Sequence, residues 1–225
     1  MQSKIIINQK NFLLVFSIIL LTGCTLFAAT VDAQDDTLPN EGFSTEQIQQ
    51  DRKWAGHIQY LIGYKGLSGD WAPAENQFEF GLLDFDFRRV HWPISIVAQL
   101  LLSYASDVPD QPGFRGDFSG TYEFNLGLRK VWESSPRFHP FLGGGFSIVG
   151  GSTTEQHNGP GGAWYNQEDN DSGLGFWVGT GAYWIFAKSF HTGINAQYTW
   201  GEIELFGNDL DTGGIHLNAI IGFHW

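Results

Sequence analysis

The chain holds a single cysteine, Cys24, and it lies in the N-terminal segment, ahead of every folding signal described below. Disulfides, thiolate catalysis and thiolate metal binding are therefore excluded from the folded part. Charge is scarce as well, at 16% of residues, so few of the charged side chains that favour helices are present. No apolar run of membrane-helix length exists after residue 30. Basic residues number 12 against 24 acidic ones, a formal net charge of −12 that argues against nucleic acid as a partner. What the chain does have is glycine, 29 residues, and aromatic side chains, 16%. These suit tight turns and pleated strands, so the expected class is all-β, either a membrane barrel or a secreted soluble sandwich.

The N-terminus carries targeting signals. Lys4 and Lys10 precede an apolar run at 12–21, FLLVFSIILL, too short to span a bilayer, which reads as a signal peptide over 1–33. Leu21-Thr22-Gly23-Cys24 offers the alternative of a lipoprotein signal ending before Cys24, with that thiol lipidated. Residues 34–53 are polar and read as a periplasmic leader, with a short helix over 44–52 suggested by Ser44 and Gln47 in capping-box spacing.

From Trp54 onward, alternation of apolar and polar residues predicts eight strands, near 54–65, 77–88, 94–105, 117–132, 140–151, 173–186, 191–205 and 214–225. The last has Ile215, Leu217, Ala219, Ile221, Phe223 and Trp225 on one face and His216, Asn218, Gly222 and His224 on the other. In the second strand the phase slips, and a bulge near Leu82 and Leu83 keeps Glu79, Asp84, Asp86 and Arg88 off the apolar face. Short turns alternate with long polar links, the longest over 152–172, where Trp164 and Tyr165 stand among Gly and Asn as the expected contact surface for a partner. With those directions Trp54, Trp132, Trp184, Phe186 and Trp225 fall at one rim. Tyr64, Phe78, Tyr104 and Phe118 fall at the other, and two such girdles have no reason to exist in a soluble sandwich.

This pattern, over 54–225, resembles the small eight-stranded outer-membrane barrels of Gram-negative bacteria, the OmpA-like and OmpW-like porin-family domains, and the last strand resembles their C-terminal recognition strand. The resemblance implies an all-β fold, an eight-stranded antiparallel up-and-down transmembrane β-barrel, in the bacterial outer membrane. It further implies outer-membrane lipid and lipopolysaccharide as surroundings, recognition of the last strand by the barrel assembly machinery, a monomer and no cofactor.

At eight strands the lumen is just wide enough for side chains to fill. His57, Gln59, Asp84, Asp86, Arg88, Gln99, Glu123, Asn125, Arg129, Asn195, Gln197, His216, Asn218 and His224 point inward on this phase and are expected to form a paired polar plug. A sharper alternative puts His57, His224 and Asp86 together near the periplasmic end as a general-base arrangement. An acylhydrolase is disfavoured. His191-Thr192-Gly193-Ile194-Asn195 lacks the serine of the lipid A deacylase His-x-Ser-Asn run, and Ser147 sits in no Gly-x-Ser-x-Gly elbow. The pairs Asp169 with Asp171 and Asp209 with Asp211, each before a glycine, are weak candidates for a divalent cation and otherwise ordinary acidic turn residues. The expected role is thus structural or surface-interacting, with a narrow solute channel second and a lipid A-modifying enzyme third.

Overall fold

Residues that alternate along each strand alternate across a wall: the computed structural model closes eight antiparallel strands into a ring. The structure describes residues 53–71, 74–105, 118–158 and 164–225, without the side chains of 118, 154–158 and 164–167. The expected signal peptide with Cys24, the helix over 44–52 and the leader up to residue 52 lie outside the described residues.

The strands are β1 (Trp54–Leu67), β2 (Asn76–Arg89), β3 (Ser95–Ala105), β4 (Phe118–Val131), β5 (Phe138–Asn158), β6 (Trp164–Ile185), β7 (Phe190–Leu205), β8 (Asn208–Asp211) and β9 (Gly214–His224). Each of β1 to β7 pairs with the next, β7 pairs with β9, and β9 returns to β1 to close the ring. Closure pairs the edges that an open sheet would leave bare, a requirement of any sheet standing in lipid.

Two expectations need correction. The link over 152–172 is largely strand, because β5 and β6 run on as a paired ribbon as far as Asn158 opposite Trp164. Trp164 and Tyr165 are thus ribbon residues whose side chains lie outside the described set. The link after β7 is likewise not a plain loop: Asn208–Asp211 folds back on Glu202–Leu205 as a hairpin. Its two-residue turn has positive φ at Phe206 (49°) and Gly207 (76°), the primed geometry that matches the twist of the flanking strands.

Burial is inverted relative to a soluble protein. Leu174 is 83% exposed and Phe146 70%, whereas Lys65 and Glu79 are fully buried and Arg129 is 1% exposed. Apolar groups out and polar groups in is the arrangement a lipid solvent selects. The bulge occurs where expected: both neighbours of β2 skip a residue between Gly81 and Leu83/Asp84, which keeps Glu79, Asp84 and Asp86 in the lumen. The girdles form too. Trp54, Trp92, Trp132, Phe138, Trp184, Phe186 and Trp225 are exposed at the rim of the short turns, and Tyr64, Phe78, Tyr104 and Trp200 at the rim of the long links.

Glycines make room inside. A Cβ on Gly181 would lie 2.5 Å from the Phe141 ring, and one on Gly201 2.6 Å from Val149. Large side chains on β5 thus seat against bare backbone on β6 and, across it, on β7, as a narrow lumen requires.

Candidate functional site

Two polar layers cross the lumen, each assembled from strands distant in sequence. In the layer nearer the long links, β1 contributes Lys65, whose Nζ stands 2.7 Å from Glu123 Oε1 of β4 and donates to Thr121 Oγ1 at 3.1 Å. Thr121 donates onward to Gln77 Oε1 (2.9 Å), and Thr199 of β7 donates to Glu123 Oε2 (2.9 Å). His216 of β9 lies between two carboxylates, Nδ1 at 2.6 Å from Glu79 Oε2 and Nε2 in a looser 3.3 Å ion contact with Glu123. Glu79 also accepts from Ser103 Oγ (2.9 Å) and from Asn218 Nδ2 (2.7 Å). With carboxylates facing both ring nitrogens, an imidazolium at His216 and the ammonium of Lys65 balance the two acids.

The second layer, toward the short turns, centres on Arg129 of β4. Its guanidinium makes a two-point fork with Asp84 (2.9 and 2.8 Å), reaches Asp86 Oδ2 (3.0 Å) and the Tyr183 hydroxyl (2.9 Å), and lies 4.9 Å over the Phe141 ring. Gln99 Nε2 donates to Asp84 at 2.8 Å, and Asn125 Nδ2 to Gln99 at 3.4 Å. Gln59 links Tyr183 (3.1 Å) to His191 Nε2 (2.8 Å). A bidentate, desolvated Arg–carboxylate contact is the strong form of the interaction, and it compensates the cost of removing these charges from water.

The sequence-derived residues distribute as follows. His57, Gln59, Asp84, Asp86, Gln99, Glu123, Asn125, Arg129, His216 and Asn218 join the two layers. Asn195 and Gln197 are buried on β7, where Gln197 makes one long hydrogen bond to Thr199 (3.4 Å). Arg88 does not belong to the plug: it sits at the last inward position of β2, where the wall ends, and its guanidinium turns out to Glu133 (2.7 Å) and the Trp92 carbonyl (3.0 Å). His57 and Asp86 do meet, Nδ1 to Oδ1 at 2.9 Å. His224 and His191 complete a ring cluster with centroids 5.3 to 6.2 Å apart, and Tyr183 stacks on His57 at 4.8 Å. Among the described residues His57 Nδ1 is paired with Asp86 and His191 Nε2 with Gln59.

Lys65, Gln77, Tyr183 and Thr199 are further network members that the sequence-derived set does not include, and Glu79 and His191 join the network although the sequence places neither in the plug. Lys65 was within reach, being two residues beyond Gly63 on the face of His57 and Gln59. Glu79 needed only the bulge already inferred.

An apolar cluster lies toward the long-link end. Trp71, in a 3-10 turn over Gly69–Trp71, is buried against Val149, Ile203 and Leu205, with Leu67, Phe206 and Leu210 around them. Its indole N–H donates to the Asp211 carbonyl at 2.9 Å. The acidic pairs bind backbone: Asp171 accepts from the N–H of Glu204 (2.9 Å), Asp169 from that of Phe206 (2.6 Å), and Asp211 from that of Gly213 (2.9 Å). They are strand residues of β6 and β8 rather than loop residues. No group of three or more His, Cys, Asp or Glu with metal-holding geometry exists among the described residues.

Neither a protein-family model nor a curated protein matches the chain. Solved structures do. Neisserial surface protein A is similar at 12% identity and TM-score 0.54, over 76% of this chain and 96% of that one. Ail, the attachment invasion locus protein of Yersinia pestis (13%, TM-score 0.45, 76% and 97% covered), and the outer membrane protein OprG of Pseudomonas aeruginosa (10%, 0.40, 76% and 95%) also match. The chain has the fold of the small eight-stranded outer-membrane β-barrels, and the apolar belt between its two aromatic rims fits it to the bacterial outer membrane.

Proposed function

We propose that this protein is a non-conducting, non-enzymatic membrane barrel with a structural or surface-interaction role, its lumen plugged by side chains and its working surface at the long-link rim. The observation that supports it most is the pair of polar layers inside the barrel, one joining β1, β2, β4 and β9 and one centred on Arg129, below the apolar cluster around Trp71. A solute on the axis meets buried Lys65, Glu123 and His216, then Arg129 with Asp84 and Asp86, and moving through means breaking desolvated pairs. Above the Trp71 cluster the rim is strongly acidic: Asp70, Glu168, Glu202, Glu204 and Asp209 are exposed there with no exposed Lys or Arg among the described residues. Such a face suits cationic partners, or divalent ions shared with the anionic sugars of lipopolysaccharide. The barrel acts as a monomer, and its last strand, β9, serves as the recognition element for assembly.

Single-channel recording of refolded protein in planar bilayers tests the plug. Silence at physiological salt is expected, and discrete, reproducible conductance steps overturn the reading. One observation favours the narrow-channel alternative: Ser147 Oγ, Asn195 Nδ2, Gln197 Oε1 and Asn218 Oδ1 are buried without protein partners along the β5, β7 and β9 side, a row that water would satisfy.

A further inference from the structure

The short-turn rim carries the opposite charge from the long-link rim. Lys53, Arg88, Arg89, Lys130, Arg137 and Lys188 gather there, and the one acidic side chain among the described residues at that level, Glu133, is taken by Arg88. One corner of this collar is built rather than merely charged. Arg89 ends β2 directly across from Trp54, on the outward, lipid-facing phase. Its guanidinium carbon lies 5.5 Å from the Trp54 ring and 5.9 Å from the Trp92 ring, and the two indoles meet edge to face at 6.3 Å. The backbone around it is fixed: Val90 N–H donates to the Lys53 carbonyl (3.2 Å), Trp92 N–H to the Arg89 carbonyl (2.8 Å), and Arg88 to the Trp92 carbonyl. The Lys53 backbone is thereby held opposite Val90, at the same level of the rim. Neither cation has a carboxylate partner among the described residues, and both are exposed.

Indoles of a girdle sit at the headgroup level, so the depth of this corner is that of a lipid phosphate. The guanidinium faces offer cation–π contact to the rings, which leaves the in-plane N–H donors directed outward, in the fork geometry that matches two phosphate oxygens. We propose that this corner binds the phosphodiester headgroup of an anionic phospholipid, with Arg89 taking the phosphate, Lys53 adding positive charge at the same level, and Trp54 and Trp92 lying against the glycerol and upper acyl chain. Charge complementarity selects the anionic lipid over a zwitterionic one, because an amine in the headgroup would offset the attraction of these two cations.

The protein is refolded into vesicles of mixed phosphatidylethanolamine and phosphatidylglycerol, extracted, and analysed by native mass spectrometry for retained lipid. Wild type is expected to retain phosphatidylglycerol in excess of its share of the bilayer, and R89Q to lower that enrichment about fivefold, with K53Q/R89Q lower still. R137Q/K188Q, which removes two cations elsewhere on the same rim, is expected to leave it unchanged. Heat-dependent gel migration checks that each variant is folded, and should the double variant not fold, R89Q alone decides. Equal retention of the two lipids by wild type, full enrichment in R89Q, or the same loss in R137Q/K188Q as in R89Q overturns the proposal.

Discussion

Replacing Arg129 by methionine keeps an unbranched apolar stem and removes the guanidinium, and the consequence follows from what is left behind. Asp86 retains His57 Nδ1 at 2.9 Å, whereas Asp84, 1% exposed, retains only Gln99 Nε2 at 2.8 Å and loses both arms of the fork. Breaking a buried pair by removing one partner costs about 3–5 kcal/mol, and because both acids keep one donor the lower figure, about 3 kcal/mol, is expected. Most of that cost resides at Asp84, so R129M/D84N, which removes the stranded charge as well, is expected to recover about 2 kcal/mol. The assay is urea unfolding in lipid vesicles, followed by tryptophan emission and by the fraction migrating as the unheated form on gels, for wild type, both single variants and the double variant. If R129M unfolds within 1 kcal/mol of wild type and the cycle shows no coupling, water reaches these groups, and the proposed plug is wrong.

Leu126, outward at the middle of β4, and Tyr104, outward at the long-link rim, separate a lipid face from a soluble one: L126R is expected to cost about 2–4 kcal/mol in vesicles and Y104R no more than about 1, while equal small effects would refute membrane burial of this wall. Gly201→Ala brings a Cβ to 2.6 Å from Val149 Cγ2, so a loss of about 1–3 kcal/mol is expected, smaller in a V149A background; additive effects in the same urea assay would show that the two positions do not share this space. Trp71→Ala removes the centre of the apolar cluster and the donor to Asp211, so limited proteolysis is expected to cut near residues 69–75 and at the β7–β8 hairpin while the urea midpoint of the barrel stays in place; a collapsed midpoint would mean that the cluster belongs to the barrel core.

Within the bilayer the sequence was readable because lipid makes the rule strict: an outward charge is costly, so the charges of β2 betray both their face and the bulge that keeps them there. The same strictness made β9 readable. Past the membrane the rule lapses. Thr153 to Asn158 on β5 and Glu168 to Ser172 on β6 are unbroken polar runs in the sequence, and backbone pairing continues through them without leaving any alternation to detect. Tyr183 and His191 escaped for a different reason. An aromatic on a barrel strand reads as lipid-facing unless its position in the two-residue period is trusted over its hydrophobicity, and here Phe141, Tyr183 and Trp177 all face in. Arg88 erred in the other direction, since the alternation holds to the last residue of β2 while the lumen stops short of it.

The seam between β1 and β9 joins strands from opposite ends of the barrel domain, His57 opposite His224 and Leu67 opposite Gly214. Across that seam, β9 hands His216 and Asn218 to Glu79 on β2, and His216 reaches Glu123 on β4 as well. Until the last strand arrives, those acids have no complete set of donors. A sheet of seven strands is therefore not a slightly weaker barrel but one whose buried Glu79 lacks His216 and Asn218, and the molecule contains its own check on completion: that inner acid gains its full set of partners only when the circle is whole.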